Sequence, residues 1–150
     1  VQTPSVLVRR DVYEHLGGYR SDLRFALDWE MWVRIAAHYA VWYDPKVLAI
    51  YRRHAGNETA RLAKIGITWS DLLDTIHIIR DYLPPEKAEA ITEKSLRWHT
   101  HSAIRSAKRL LAQGEIEGCQ GCLNAANRFC EYSNQIAMRT KLKLAVLTAI

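Results

Sequence analysis

The distribution of apolar positions divides the chain near residue 60. Beyond that point apolar residues recur at helical spacing with almost no strand-like alternation, which predicts helices near residues 62–82, 85–113, 115–132 and 134–150. The breaks between them are chemically marked by Pro84-Pro85, by Gly114 and by Tyr132-Ser133, and Pro85 suits a first helical turn because its missing N–H would lack a partner there anyway. The stretch AIRSAKRLLAQGEIEGCQGCLNAANRF, residues 103–129, reads as a helix, a glycine break and a second helix with small residues at the contact. No second copy of that hairpin follows, so a solenoid is not indicated.

Before residue 60 the pattern is mixed. Ser5 to Val8 is a short β-leaning run, and Asp11 is placed to cap a short helix that stops at Gly17-Gly18. From Asp28 onward, Trp29, Trp32, Val33 and Ala36 recur at helical spacing and leave Glu30 and Arg34 on another face. Ala40 to Tyr43 and Val47 to Tyr51 read as strands on either side of the Asp44-Pro45 turn. The fold class expected from this pattern is α+β, mostly α. A small α/β portion occupies residues 1–60, and an α-helical extension, a bundle or hairpin, occupies residues 61–150.

Composition sharpens that division. Nine of the fourteen aromatic residues lie in residues 1–60, whereas most of the +5 formal charge lies beyond residue 60. At 150 residues, 49% hydrophobic and 25% charged, the chain can bury a core without staples, which excludes wholesale disorder and low-complexity architectures. The basic excess forms no dense block in the linear order, so nucleic acid is not expected as a partner, and no basic recognition helix is apparent. Cys119, Cys122 and Cys130 are too few and too clustered for a secreted disulfide framework, which points to a reducing, cytoplasmic setting. The longest late apolar run, Leu144 to Ile150, is far shorter than the roughly 20 residues needed to span a bilayer. The basic-then-apolar ending MRTKLKLAVLTAI allows peripheral contact with an anionic membrane, although a last helix packed on the bundle is the simpler account. The opening VQTPSVLVRR has neither an initiator Met nor the apolar centre of a signal peptide, which suggests a fragment or processed chain.

Three segments carry candidate chemistry: TPSVLVRRDVYEHLGGYRSDL, FALDWEMWVRIA and YDPKVLAIYRRHAGNET. In order and spacing they resemble the C-terminal part of the catalytic domain of family 2 glycosyltransferases, over about residues 3–59. The resemblance implies a GT-A fold and inverting transfer of a sugar from a nucleotide-sugar donor to a saccharide or lipid-linked acceptor. An alcohol is a poor nucleophile at neutral pH, so such transfer needs a carboxylate to take its proton. Asp28 in LDWE matches the family's base position, and the positive end of a helix dipole favours a negative charge there. By the same resemblance Arg52 and Arg53 offset phosphate charge and His54 in YRRH contributes to a divalent metal, Mn or Mg; Glu30 is placed to orient an acceptor, and Trp29 and Trp32 can form a sugar-stacking platform. That metal is held mainly by an Asp-x-Asp motif, which this chain lacks, as it lacks a Gly-rich phosphate turn. The fragment alone is therefore expected to be inactive.

Plainer roles stand beside these. Asp28 suits a helix N-cap, although Met31 removes the reciprocal half of a capping box. Glu30 suits a solvated first-turn carboxylate, Trp29 and Trp32 suit core packing, and Arg52 to His54 suit a polar exit from a strand. Cys119 and Cys122 with Cys130, His99 and His101 lack zinc-finger spacing and read as small buried residues at helix contacts. The competing functional class is a non-catalytic helical interaction module formed by residues 61–150.

Overall fold

The computed structural model describes residues 3–52, 62 and 67–133. A 3-10 turn, Thr3–Ser5, leads to α1, Arg10–Leu16, and α2, Leu27–His38. The later elements are α3, Ile67–Arg80, α4, Pro85–Ala112, and α5, Ile116–Glu131. Each later helix lies within its predicted span. The helix expected near residues 134–150 lies outside the described residues.

The helix ends have local causes. Gly17 follows α1 at φ 79°, a conformation that carries no Cβ penalty in glycine. Gly114 plays the same part after α4 at φ 76°, where Glu115 N–H donates to Leu110 O at 2.9 Å and Gly114 N–H to Leu111 O at 3.0 Å. This crossed pair occupies the last orphan carbonyls of α4 and turns the chain back to form the α4–α5 hairpin. Pro85 begins α4 as its composition requires.

The hairpin closes over small residues. Ala103, Ile104 and Ala107 of α4 pack on Cys119, Cys122, Leu123, Ala126 and Cys130 of α5, and their short side chains let the two backbones approach. A second cluster joins α3 to the hairpin through Leu73, Ile76, Leu96, Ala125 and Phe129, with Trp29 of α2 and Trp69 against it. Burial of a Leu or Phe side chain at such a site contributes about 1.5–3 kcal/mol. Val12 of α1 with Met31 and Ile35 of α2 makes a third cluster, flanked by Val8, Tyr13, Leu16 and Trp32.

The expected α+β class is corrected: among the described residues the architecture is all-helical, with no strand. Residues 6–9 run as irregular chain from the 3-10 turn, and Val8 packs on the α1–α2 cluster. Residues 40–43 and 47–51 also form no ladder. Their β-branched and aromatic side chains suit a pleated sheet, but a strand needs a neighbour to pair with, and none lies among the described residues. Trp42 is 90% exposed and Ile50 is 92% exposed, so these segments have no covered face either.

Candidate functional site

Asp28 lies in the first turn of α2, where Ala26 rather than Asp28 is the cap residue. Its carboxylate is half-buried and has two contacts. Thr3 Oγ1 donates to Oδ2 at 2.7 Å, and the Trp29 N–H donates to Oδ1 at 2.7 Å. Aromatic side chains from α1, the glycine turn and α2 pack on one another nearby in the chain. The ring centres of Tyr13 and Tyr19 are 6.3 Å apart, and Tyr19 meets Trp32 edge-on at 6.0 Å. The Tyr19 phenol is pushed upward, first by burial, then by Tyr13 and last by the charge of Asp28.

The loop leading into α2 is fixed by a residue from far along the chain. The buried carboxylate of Asp71, on α3, accepts the main-chain N–H groups of Arg24 at 3.0 Å, Phe25 at 2.8 Å and Ala26 at 2.7 Å. Three consecutive donors converging on one carboxylate form an anion cradle, occupied here by the protein's own side chain.

Glu30 is fully buried. Arg34, one turn on, donates from Nε to Oε1 at 2.8 Å and from Nη2 to Oε2 at 3.1 Å, and Tyr82 donates its phenolic proton to Oε1 at 2.7 Å. The Arg34 fork also donates to Leu16 O at 2.5 Å and Gly18 O at 2.8 Å, satisfying carbonyls at the end of α1. Burial and the bond to Glu30 push the Tyr82 phenol upward. In this setting Glu30 positions α2 against α1 and the α3–α4 turn, and its oxygens are occupied within the protein.

Trp29 is half-buried and stacks on His99 of α4 at 5.5 Å, and His99 lies against Phe129 on its other side at 5.6 Å. The His99 Nδ1 is 2.8 Å from Ser95 O, which makes it the protonated nitrogen, and burial holds the imidazole below its ordinary value. The cavity lined by Trp29, Ile76, Ile79, Leu83, Ile91 and Thr92 has a volume of about 30 Å³, room for a water molecule or two. The Thr92 hydroxyl, buried without a protein partner, suits such a water.

Arg52 is exposed at the end of the extended segment. Arg53 and His54 lie outside the described residues. The structure thus brings Asp28, Trp29 and Glu30 together on α2, with only Asp28 presenting a carboxylate toward the surface. Sequence reasoning missed Asp71 and Tyr82 and weighed His99 only beside the cysteines, and each of the three touches α2 or its lead-in loop from more than 40 residues away. An Asp or His on an otherwise apolar helical face was the available signal. Among the described residues no three His, Cys, Asp or Glu side chains converge on a point that could hold a metal ion. Cys119, Cys122 and Cys130 are buried and form no disulfide among the described residues, and burial pushes the Cys122 thiol upward, away from thiolate chemistry. No helix among the described residues is long and apolar enough to cross a membrane.

Comparison with protein-family models, curated proteins and solved structures returned no match for this chain.

Proposed function

We propose that this chain supplies the acceptor side of an inverting glycosyltransferase, with Asp28 as the general base. The observation that carries the reading is the Thr3–Asp28 hydrogen bond. An alcohol O–H donates to Oδ2 at 2.7 Å, within the distance a base needs to an acceptor hydroxyl. Thr3 is exposed, so a sugar or lipid-linked hydroxyl can take its place on Oδ2.

In the reaction, the acceptor oxygen forms a bond to the anomeric carbon from the face opposite the nucleotide. Its proton passes to Asp28, and the bond from that carbon to the phosphate oxygen breaks. The electron pair leaves on the nucleotide diphosphate, and the configuration at carbon is inverted. Tyr19 and Trp32 offer aromatic surface on which an acceptor ring can lie. Glu30, held by Arg34 and Tyr82, and Asp71, held by the loop amides, fix the angle at which α2 presents the base.

Donor binding is assigned to Arg52 and to groups outside the described residues. Arg52, with Arg53 and His54 beside it in sequence, offers charge for the diphosphate. The described residues do not fit the divalent ion, Mn or Mg, implied by the resemblance, so that ion belongs with the donor-binding groups.

The test is incubation of the full-length protein with labelled nucleotide sugars and a panel of saccharide and lipid-linked acceptors, followed by determination of the product's anomeric configuration. Transfer with inversion supports the reading. Transfer with retention, or hydrolysis without transfer to any acceptor, contradicts it. A second reading, a non-catalytic interaction module, draws on the exposed apolar residues Val41, Trp42, Val47, Leu48 and Ile50, which lie before the helices of residues 61–150 first considered for that role. It predicts no turnover of any donor.

A further inference from the structure

We infer that the outward face of α4, between Lys94 and Arg109, is a docking surface for an anionic membrane. The linear sequence hides this feature, because the cations are spaced among apolar residues. Between Lys94 and Ala112 the chain has no Asp or Glu. At about 100° per residue, Lys94, Arg97, Trp98, Arg105, Lys108 and Arg109 fall within an arc of about 120°. All six are exposed, while Leu96, Ala103 and Ala107 on the opposite face are buried. The result is a straight basic row about 22 Å long, at a rise of about 1.5 Å per residue.

The row is not explained by structural needs of the helix. The helix dipole accounts for Lys108 and Arg109 near the C-terminal end, but Lys94 and Arg97 lie in the middle of α4, beyond its reach. The ion pairs among the described residues join Arg9 to Asp11, Arg20 to Asp22, Arg34 to Glu30 and Arg80 to Glu89, and none involves this row. Like charges left side by side without carboxylates raise the local potential and attract an anionic partner.

The aromatic on the row decides which partner. Trp98 is 60% exposed, and Ile91, two turns earlier on the same side, is 42% exposed. An indole beside lysines and arginines suits the headgroup level of a bilayer, where its apolar body sits among acyl chains while the cations reach lipid phosphates. Single-stranded nucleic acid would call for several aromatic faces to stack successive bases, and this row carries one. The apolar side of α4 is already buried in the bundle, so the helix lies on the surface and does not insert. This inference does not depend on sugar transfer.

The experiment is sedimentation of the full chain with vesicles of phosphatidylcholine alone or with about one-third phosphatidylserine, at low and high salt. Binding is expected only to the phosphatidylserine vesicles, with loss at high salt and a blue shift of tryptophan emission that is absent in Trp98→Phe. Each cation near the surface strengthens binding roughly five-fold, so the triple variant Arg97→Gln, Arg105→Gln, Lys108→Gln should bind about a hundred-fold more weakly, with unchanged circular dichroism. The parallel variant Arg139→Gln, Lys141→Gln, Lys143→Gln should keep most of the binding. Equal binding to both vesicle types, loss confined to the second variant, or preferential binding of the row to RNA or an acidic peptide would overturn the proposal.

Discussion

Asp71 of α3 accepts the main-chain N–H of Ala26, the residue from which α2 begins, at 2.7 Å. With the neighbouring amides of Arg24 and Phe25 on the same carboxylate, the helix that carries Asp28 is anchored to the helices that follow residue 60. Asp71→Ala leaves three amides without their acceptor and is expected to cost about 2–4 kcal/mol, read from urea denaturation. Asp71→Asn keeps one carbonyl oxygen and should cost less. An Asp71→Ala protein as stable as the parent would show that water replaces the carboxylate without loss.

The Glu30–Arg34 pair is a second anchor, and its burial sets the size of the effect. Arg34→Met leaves the Glu30 carboxylate buried without its counter-charge, at an expected cost of about 3–5 kcal/mol. The double variant Arg34→Met, Glu30→Gln removes both charges and should recover a substantial part of that loss. Tyr82→Phe removes one hydrogen bond and should cost about 1 kcal/mol. A double-mutant cycle measures the coupling directly, and additive single effects would deny it.

His99 makes stability depend on pH in a defined direction. Burial between Trp29 and Phe129 holds its folded-state value below the ordinary 6.5, so the unfolded chain takes up this proton at higher pH than the folded chain. Stability from this group is complete above about pH 6.5 and is lost as pH falls through the folded value. The urea midpoint of the parent should therefore drop between about pH 7.5 and pH 5.5, and His99→Gln should flatten that drop. An identical pH slope in the variant would remove His99 as its source.

The parts of the fold that were readable in the sequence are those set by local spacing. α3, α4 and α5 follow from helical periodicity, and Pro84-Pro85 and Gly114 end or begin them through backbone geometry that neighbours alone determine. The strands assigned to residues 40–43 and 47–51 were misread for a related reason. Val41, Trp42, Val47 and Ile50 have the side chains of a strand, but pairing is a long-range property that composition does not report. The candidate site divides the same way. The place of Asp28 at the start of α2 was legible from the LDWE motif, whereas Glu30, which resembles a solvated first-turn carboxylate, is buried and accepts from Tyr82, fifty-two residues away. Asp71 was hidden likewise, because its partners are main-chain amides whose exposure depends on the path of the loop.

The proposed role of Asp28, taking a proton from an acceptor hydroxyl, is tested by steady-state transfer by the full-length Asp28→Asn protein alongside its affinity for the nucleotide-sugar donor. Asparagine keeps the size of the side chain and can still accept from Thr3, so the fold is retained while the base is lost. If Asp28 is the base, kcat should fall about 10²–10⁴-fold with donor affinity unchanged. Turnover within a few-fold of the parent would contradict it.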